Sequence, residues 1–274
     1  MGGTQREKMT AVGSPHGSGQ PASDPDPSRG WSGSTQDLLV LGSAQLFRGL
    51  DPGDVAALLP AFGVRTLERG ATLFRQGDVG DAQVFIVLQG RFTIAREHRA
   101  GRSVSAVLGP GDMAGELSVF DPGPRTSTLT ATTPARVAVL SAPDLLAWGT
   151  SRPHVARRLL QVLARRLRRT GSTAIDLVFV DVPGRVASTL LELAGRFGEP
   201  RGAQLWVAHG LTQTELAQLV GSSRETVNRV LGQFAARGWL QLERGGVVLT
   251  DIPRLRQRAG GATGSQPGPA PQSS

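Results

Sequence analysis

The segment GELSVFDPGPRTS, residues 115–127, sets a carboxylate at Glu116 and a guanidinium at Arg125 in a short loop rich in glycine and proline. A guanidinium forms charge-assisted hydrogen bonds to an anion. A carboxylate accepts from hydroxyls and repels an anion. The two side chains either pair with each other in an ordinary surface salt bridge or reach opposite ends of one ligand that carries both kinds of group. Which reading holds depends on the elements that position the loop.

Composition removes several alternatives. The chain of 274 residues contains no cysteine, which excludes disulfide frameworks, thiolate metal sites, iron–sulfur clusters and cysteine nucleophiles. His16, His98, His154 and His209 are scattered without metal-ligand spacing. The β-rich region holds only His98, so the histidine and carboxylate cluster of a cupin-type metalloenzyme is not met, and the reading is a non-enzyme without a metal. No stretch of 18 apolar residues and no apolar leader is present, so the expectation is a cytoplasmic protein with no membrane partner. The net charge of +8 comes almost wholly from arginine, Lys8 being the only lysine. That excess permits a nucleic-acid partner without establishing one.

The chain divides by pattern. Residues 1–36 and 258–274 are rich in Gly, Ser and Pro and read as disordered tails. Residues 37–150 read as a β domain, in which glycine turns at 68–70, 75–78, 88–90 and 109–112 cut short apolar runs such as VFIVL (84–88) and RFTIA (91–95), the spacing of a sandwich or barrel. A helical lead-in over 43–62, broken at Asp51-Pro52, precedes it. Residues 151–180 read as a long helix and hinge. Ala156, Leu160, Leu163, Leu167, Thr170, Ala174 and Leu177 alternate in steps of four and three, which is the seam of a two-stranded coiled coil or a stripe packed on the chain's own β domain. The same helix has seven arginines between 152 and 169 and no acid, and Arg166 and Thr170 share one face.

Residues 181–257 form a further unit. Asp181 can cap a helix that tolerates Pro183 and ends at Gly198, which makes Phe179 to Asp181 a candidate hinge. In LTQTELAQLVGSSRETVNRVLGQFAARGWL (211–240), Thr212 with Glu215 and Ser222 with Glu225 read as two capping boxes around a turn at Gly221. This is a helix-turn-helix, or else an αα-hairpin whose charges are merely solvated. In the first reading Val227, Val230, Leu231 and Phe234 face inward, while Arg224, Glu225, Asn228 and Arg229 face outward with Ser223 at the helix start; Thr212 and Gln213 open the preceding helix. Arginine can donate twice to guanine and glutamate can accept from cytosine in a major groove. WLQLERGGVVLTD (239–251) reads as a hairpin turning at Gly245-Gly246, a wing beside the helices.

At these residues the chain resembles the cyclic-AMP receptor family of transcription regulators, and especially its actinobacterial members. The resemblance spans about residues 43–255 in one register and rests on GELSVFDPGPRTS, LARRLRRT, DVPGRV and GSSRETVNRVL. It implies an α+β architecture: an N-terminal double-stranded β-helix, or jelly roll, that binds cyclic AMP, a long dimerisation helix and a C-terminal winged helix-turn-helix. It implies a homodimer on a palindromic DNA operator, with RNA polymerase as a further partner. Carried over residue by residue, Gly115, Leu117 and Ser118 line the sugar-phosphate, Glu116 accepts from the ribose 2′-hydroxyl, and Arg125 and Thr126 bind the cyclic phosphate. Arg166 and Thr170 sit over the purine. Ribose and phosphate lie apart in such a ligand, which agrees with the separation of Glu116 from Arg125. Two departures stand out: Gly171 occupies a position where well-known members have a serine that reaches the partner's ligand, and the loop from Glu116 to Arg125 is one residue shorter. A regulator of the same fold that binds DNA without cyclic AMP is the alternative.

Overall fold

The computed structural model describes residues 31–80, 82–99 and 101–260, with the backbone alone at 169 and 172–177. Its N-terminal domain is two four-stranded antiparallel sheets face to face. One sheet has the order β1 (Gly63–Leu67), β8 (Ala135–Ser141), β3 (Gln83–Gln89), β6 (Met113–Ala114). The other has the order β2 (Thr72–Phe74), β7 (Thr128–Ala131), β4 (Phe92–His98), β5 (Gly101–Leu108).

The unbroken apolar run of β3 follows from burial on both sides. Phe85 and Val87 point between the sheets, toward Phe92, Leu129 and Val137. Val84, Ile86 and Leu88 point the other way, into a helical layer with Leu41, Phe47, Phe62, Trp148, Val155 and Leu159. That layer comprises α1 (Thr35–Ser43), α2 (Pro52–Leu58), a 3₁₀ turn at Leu59–Ala61, α4 (Ala142–Ser151) and the start of α5 (Pro153–Phe179). The lead-in is therefore helical, but its first helix lies upstream of residue 43. Residues 35 and 36, read as tail, open it behind a capping box of Ser34 and Asp37. Residues 1–30 and 261–274 of the expected tails lie outside the described residues.

Helix α5 carries two stripes. Val155, Leu159 and Val162 are buried on the chain's own β domain. Of the stripe of fours and threes, Leu160 and Leu167 are 67% and 74% exposed, while Ala156 and Leu163 are half-buried. The side chains of Ala174 and Leu177 lie outside the described residues. Helix α5 ends at Phe179, Val180 is buried, and Asp181 caps α6 (Val182–Phe197) by accepting from the Gly184 amide at 3.0 Å.

The C-terminal domain packs α6, α7 (Gln213–Val220), α8 (Arg224–Ala236) and α9 (Ile252–Gly260) against a sheet of order β11 (Leu240–Glu243), β12 (Gly246–Leu249), β10 (Gln204–Val207), β9 (Gly198–Arg201). Three expectations change. Helix α8 is capped by Ser223, which accepts from the Thr226 amide at 3.2 Å, and not by a Ser222–Glu225 box. The wing pairs Glu243 with Gly246, so its turn residues are Arg244 and Gly245; Gly246 lies in the strand, where a Cβ would stand 2.2 Å from the Val207 carbonyl oxygen. Residues 258–260, read as tail, complete α9, and Arg258 pairs with Asp181.

Candidate ligand pocket and nucleic-acid interface

The loop of residues 115–127 leaves β6 at a bend that only glycine can make. Gly115 has φ +87°, and an added Cβ would meet the Gln83 carbonyl oxygen at 2.4 Å. Glu116 then turns inward and is 1% exposed at the start of the short helix α3 (Leu117–Phe120). Leu117 is exposed and Ser118 half-buried. At the far end, Arg125 is tied to the RQGD turn, its amide donating to the Asp78 carbonyl at 2.9 Å and its carbonyl accepting from the Gly77 amide at 2.8 Å.

The Arg125 side chain folds back over this bend. Nη1 donates to the Gly115 carbonyl at 3.1 Å, to the Gln83 carbonyl at 3.3 Å and to Ser118 Oγ at 3.4 Å. The guanidinium lies 4.5 Å over the Phe74 ring. Burial lowers its pKa from arginine's ordinary value, with Asp78 and Glu116 opposing that shift. Arg125 is therefore a partly desolvated cation held beside a buried carboxylate.

Helix α5 supplies the third charge. Arg166 Nη1 donates to Glu116 Oε1 at 2.5 Å and to the Met113 carbonyl at 3.3 Å. A carboxylate this buried needs a partner, and Arg166 of α5 is that partner. The structure thus brings together Gly115, Glu116, Ser118 and Arg125 of the 115–127 loop with Arg166 of α5. Thr126 is exposed next to Arg125. Thr170 and Gly171 lie farther along α5 and are exposed; the Thr170 hydroxyl donates to the Arg166 carbonyl at 3.1 Å, and a Cβ on Gly171 would have nothing within 4 Å. Those two positions are not drawn onto the loop. Among the described residues no group of three His, Asp or Glu side chains is placed to hold a metal ion.

The second site lies in the domain that follows the break between α5 and α6. Thr212 caps α7 in a reciprocal box with Glu215, and Gly221 closes the helix at φ +71°. The small Ala217 and Val220 are buried where α8 crosses. Helix α8 buries Val227, Val230, Leu231 and Phe234, which rotates Arg224, Glu225, Asn228 and Arg229 to solvent along two turns. Hydrogen bonds from its own amide and from Ser223 hold the Glu225 carboxyl below its usual pKa, so it is an acceptor at neutral pH. Thr212, Gln213 and Ser223 are exposed at the two helix starts. An exposed helix bearing donors and acceptors, backed by a second helix and flanked by a hairpin, is the geometry that enters a major groove.

Sequence reasoning missed the residues that join the two domains. Arg196 of α6 reaches the Val107 carbonyl at 2.7 Å and pairs with Asp112. Arg91 lies 5.0 Å over the Phe197 ring and close to the buried His209. Arg185 joins the hinge to the helix-turn-helix, donating to the carbonyls of Val180 at 2.6 Å, Val220 at 3.0 Å and Gly221 at 3.1 Å. Local signals could not have found most of these contacts, because all the partners but Val180 lie 35 to 118 positions away.

Comparison with known proteins bears on the two domains. Residues 64–149 match the cyclic nucleotide-binding domain family and residues 184–258 the Crp-like helix-turn-helix domain family. The chain is 48% identical over 221 residues to the CRP-like cAMP-activated global transcriptional regulator of Mycobacterium tuberculosis, covering 80% of this chain and 98% of that one. It is 36% identical over 217 residues to the cyclic AMP receptor protein of Thermus thermophilus, covering 79% and 97% respectively. Among solved structures, the c-di-GMP responsive global regulator CLP of Xanthomonas campestris matches with a TM-score of 0.61 and 28% identity over 73% of this chain and 99% of that one. Its two domains in this order, and an identity of nearly half to a regulator matched almost end to end, show that the chain belongs to the CRP-like family of DNA-binding transcription regulators.

Proposed function

We propose that the chain is a homodimeric transcription regulator whose DNA affinity is set by 3′,5′-cyclic AMP bound at the 115–127 loop. The observation that carries this reading is the buried Glu116, paired with Arg166 from the long helix, beside the desolvated Arg125. One carboxylate for a ribose hydroxyl and one guanidinium for a singly charged cyclic phosphate match this ligand class in number and sign. Gly115, Leu117 and Ser118 then line the sugar-phosphate, Thr126 adds a hydroxyl, and Arg166 with Thr170 closes over the base.

The choice of cyclic AMP is supported by the names of the Mycobacterium and Thermus relatives, while the Xanthomonas neighbour is described as responsive to c-di-GMP. Calorimetry with cyclic AMP, cyclic GMP and c-di-GMP on the full chain tests it. Tightest binding to cyclic AMP supports the reading, and preference for another ligand or no binding contradicts it.

Dimerisation through the exposed Leu160 and Leu167 would place two α8 helices on half-sites about one helical turn apart. In that arrangement Arg224, Glu225, Asn228 and Arg229 read base edges, and Thr212, Gln213 and Ser223 hold phosphates. RNA polymerase is the partner expected next to such a complex.

A further inference from the structure

Helix α6 is gripped at both ends. At its N-terminus, Arg185 and Arg258 hold the hinge at Val180 and Asp181. At its C-terminus, Arg196 crosses to the β domain and holds the turn Gly109–Asp112. Nη1 serves the Val107 carbonyl and Nη2 the Asp112 carboxylate, whose Oδ2 also accepts from the Gly109 amide at 2.8 Å and whose Oδ1 accepts from Gln45 at 3.1 Å. Gly109 is required at this crossing, since an added Cβ would stand 2.3 Å from the Phe197 ring. Arg196 also lies 4.7 Å over that ring and 3.8 Å from Glu192.

The turn leads straight into the ligand loop. From Asp112 the chain runs through Met113 and Ala114 to Gly115 and Glu116. Arg166 Nη1 bonds both the Met113 carbonyl and Glu116. One five-residue segment, 112–116, is thus held by Arg196 at one end and by Arg166 at the other. A ribose hydroxyl that bonds Glu116 competes with Arg166 for the carboxylate and changes the load on the segment that Arg196 grips. Because α6 is a continuous helix, a shift at its C-terminal anchor moves it against the hinge.

We propose that Arg196 is a coupling residue: its contact with the Gly109–Asp112 turn transmits the state of the ligand loop to the DNA-binding domain of the same chain, in parallel with the dimer helix. The inference rests on the reading of residues 115–127 as a cyclic-nucleotide site.

The test compares full-length wild type with Arg196→Ala, Asp112→Asn and the exchange of Arg196→Asp with Asp112→Arg. Nucleotide affinity is read by calorimetry and operator affinity by titration, with and without saturating cyclic AMP. In each single variant the nucleotide-induced change in operator affinity should shrink about tenfold, within the usual range of coupling between sites, while the thermal midpoint stays near that of wild type and nucleotide still binds. The exchange should recover part of the coupling. If Arg196→Ala does not fold, Arg196→Lys takes its place, since one ammonium lacks the fork that serves both acceptors. Single variants that respond as wild type does would overturn the role of Arg196 and leave the nucleotide site standing. A wild-type protein that binds no cyclic nucleotide would overturn both.

Discussion

Replacing Arg125 by alanine separates the binding role proposed for that side chain from its structural one. Its hydrogen bonds to Gly115, Gln83 and Ser118 are 3.1–3.4 Å long and share one nitrogen, with a further 3.3 Å bond from Nη2 to Gln83. Long bonds crowded onto one guanidinium count together as about one good bond, about 0.5–1.5 kcal/mol net, and a half-exposed cation over Phe74 adds about 0.5–2 kcal/mol. The variant should therefore lose about 1–3 kcal/mol of stability and remain folded. The loss in ligand affinity should be larger, because truncating one partner of a desolvated charge pair costs about 2–5 kcal/mol. That corresponds to a fall in cyclic AMP affinity between about 30-fold and a few thousand-fold. Arg125→Lys keeps the charge without the planar fork and should fall between the two. Calorimetry on the folded variants, with their stability measured separately by urea titration, gives both numbers. Equal nucleotide affinity in Arg125→Ala and wild type would refute the assignment of Arg125 to the phosphate.

Three other substitutions probe the remaining parts. Arg224→Ala should weaken specific operator binding by about 1–3 kcal/mol and leave nonspecific binding and its steep salt dependence nearly intact; a gel-shift titration on cognate and scrambled duplexes checks this, and equal specific affinity would exclude Arg224 from base recognition. Leu167→Glu alters a residue 74% exposed in the chain and should leave each domain folded while raising the dimer dissociation constant. If Leu167 of both protomers is fully buried in the dimer, the two copies contribute about 3–6 kcal/mol, so sedimentation at micromolar concentration should find monomer; an unchanged dimer would move the interface elsewhere. His209 is held neutral by burial, with Arg91 adding to the effect, and its pKa is lowered to about 4. Between pH 6.5 and about 4 the unfolded chain binds the extra proton, so stability should fall as pH drops through that window, by at most about 3 kcal/mol. His209→Gln should flatten that part of the pH–stability curve, and an unaltered curve would place the titration on another group.

Much of this arrangement could be read from residue types alone. The β domain was legible because its turns need glycine at near-regular intervals, as Gly77, Gly90 and Gly111 show with φ of 83–89°. The helix-turn-helix was legible because caps, small residues at the crossing and an outward polar face are all local. The cap of α8 misled because Ser222 and Ser223 are adjacent and either could precede a helix; Ser223 has the extended backbone a cap needs, at ψ 152°, and its hydroxyl accepts from the Thr226 amide three residues on. The wing turn misled because Gly245 and Gly246 are alike in sequence, yet only Gly245 has a positive φ. In the ligand loop the residue types were evident, but the Glu116–Arg166 pair joins positions 50 apart and needed the fold to appear. The contacts of Arg196, Arg91 and Arg185 were invisible for the same reason. In a chain with 30 basic residues, nothing local distinguishes the few that cross between domains.

One ligand, bound by Glu116 and Arg125, is proposed to set the DNA affinity of α8. Titration of the full-length protein onto a palindromic operator, with and without saturating cyclic AMP at fixed salt, tests it most directly. Operator affinity should change at least about fivefold on adding cyclic AMP, an effect abolished by Arg125→Ala. Operator affinity that is the same with and without the nucleotide would contradict it.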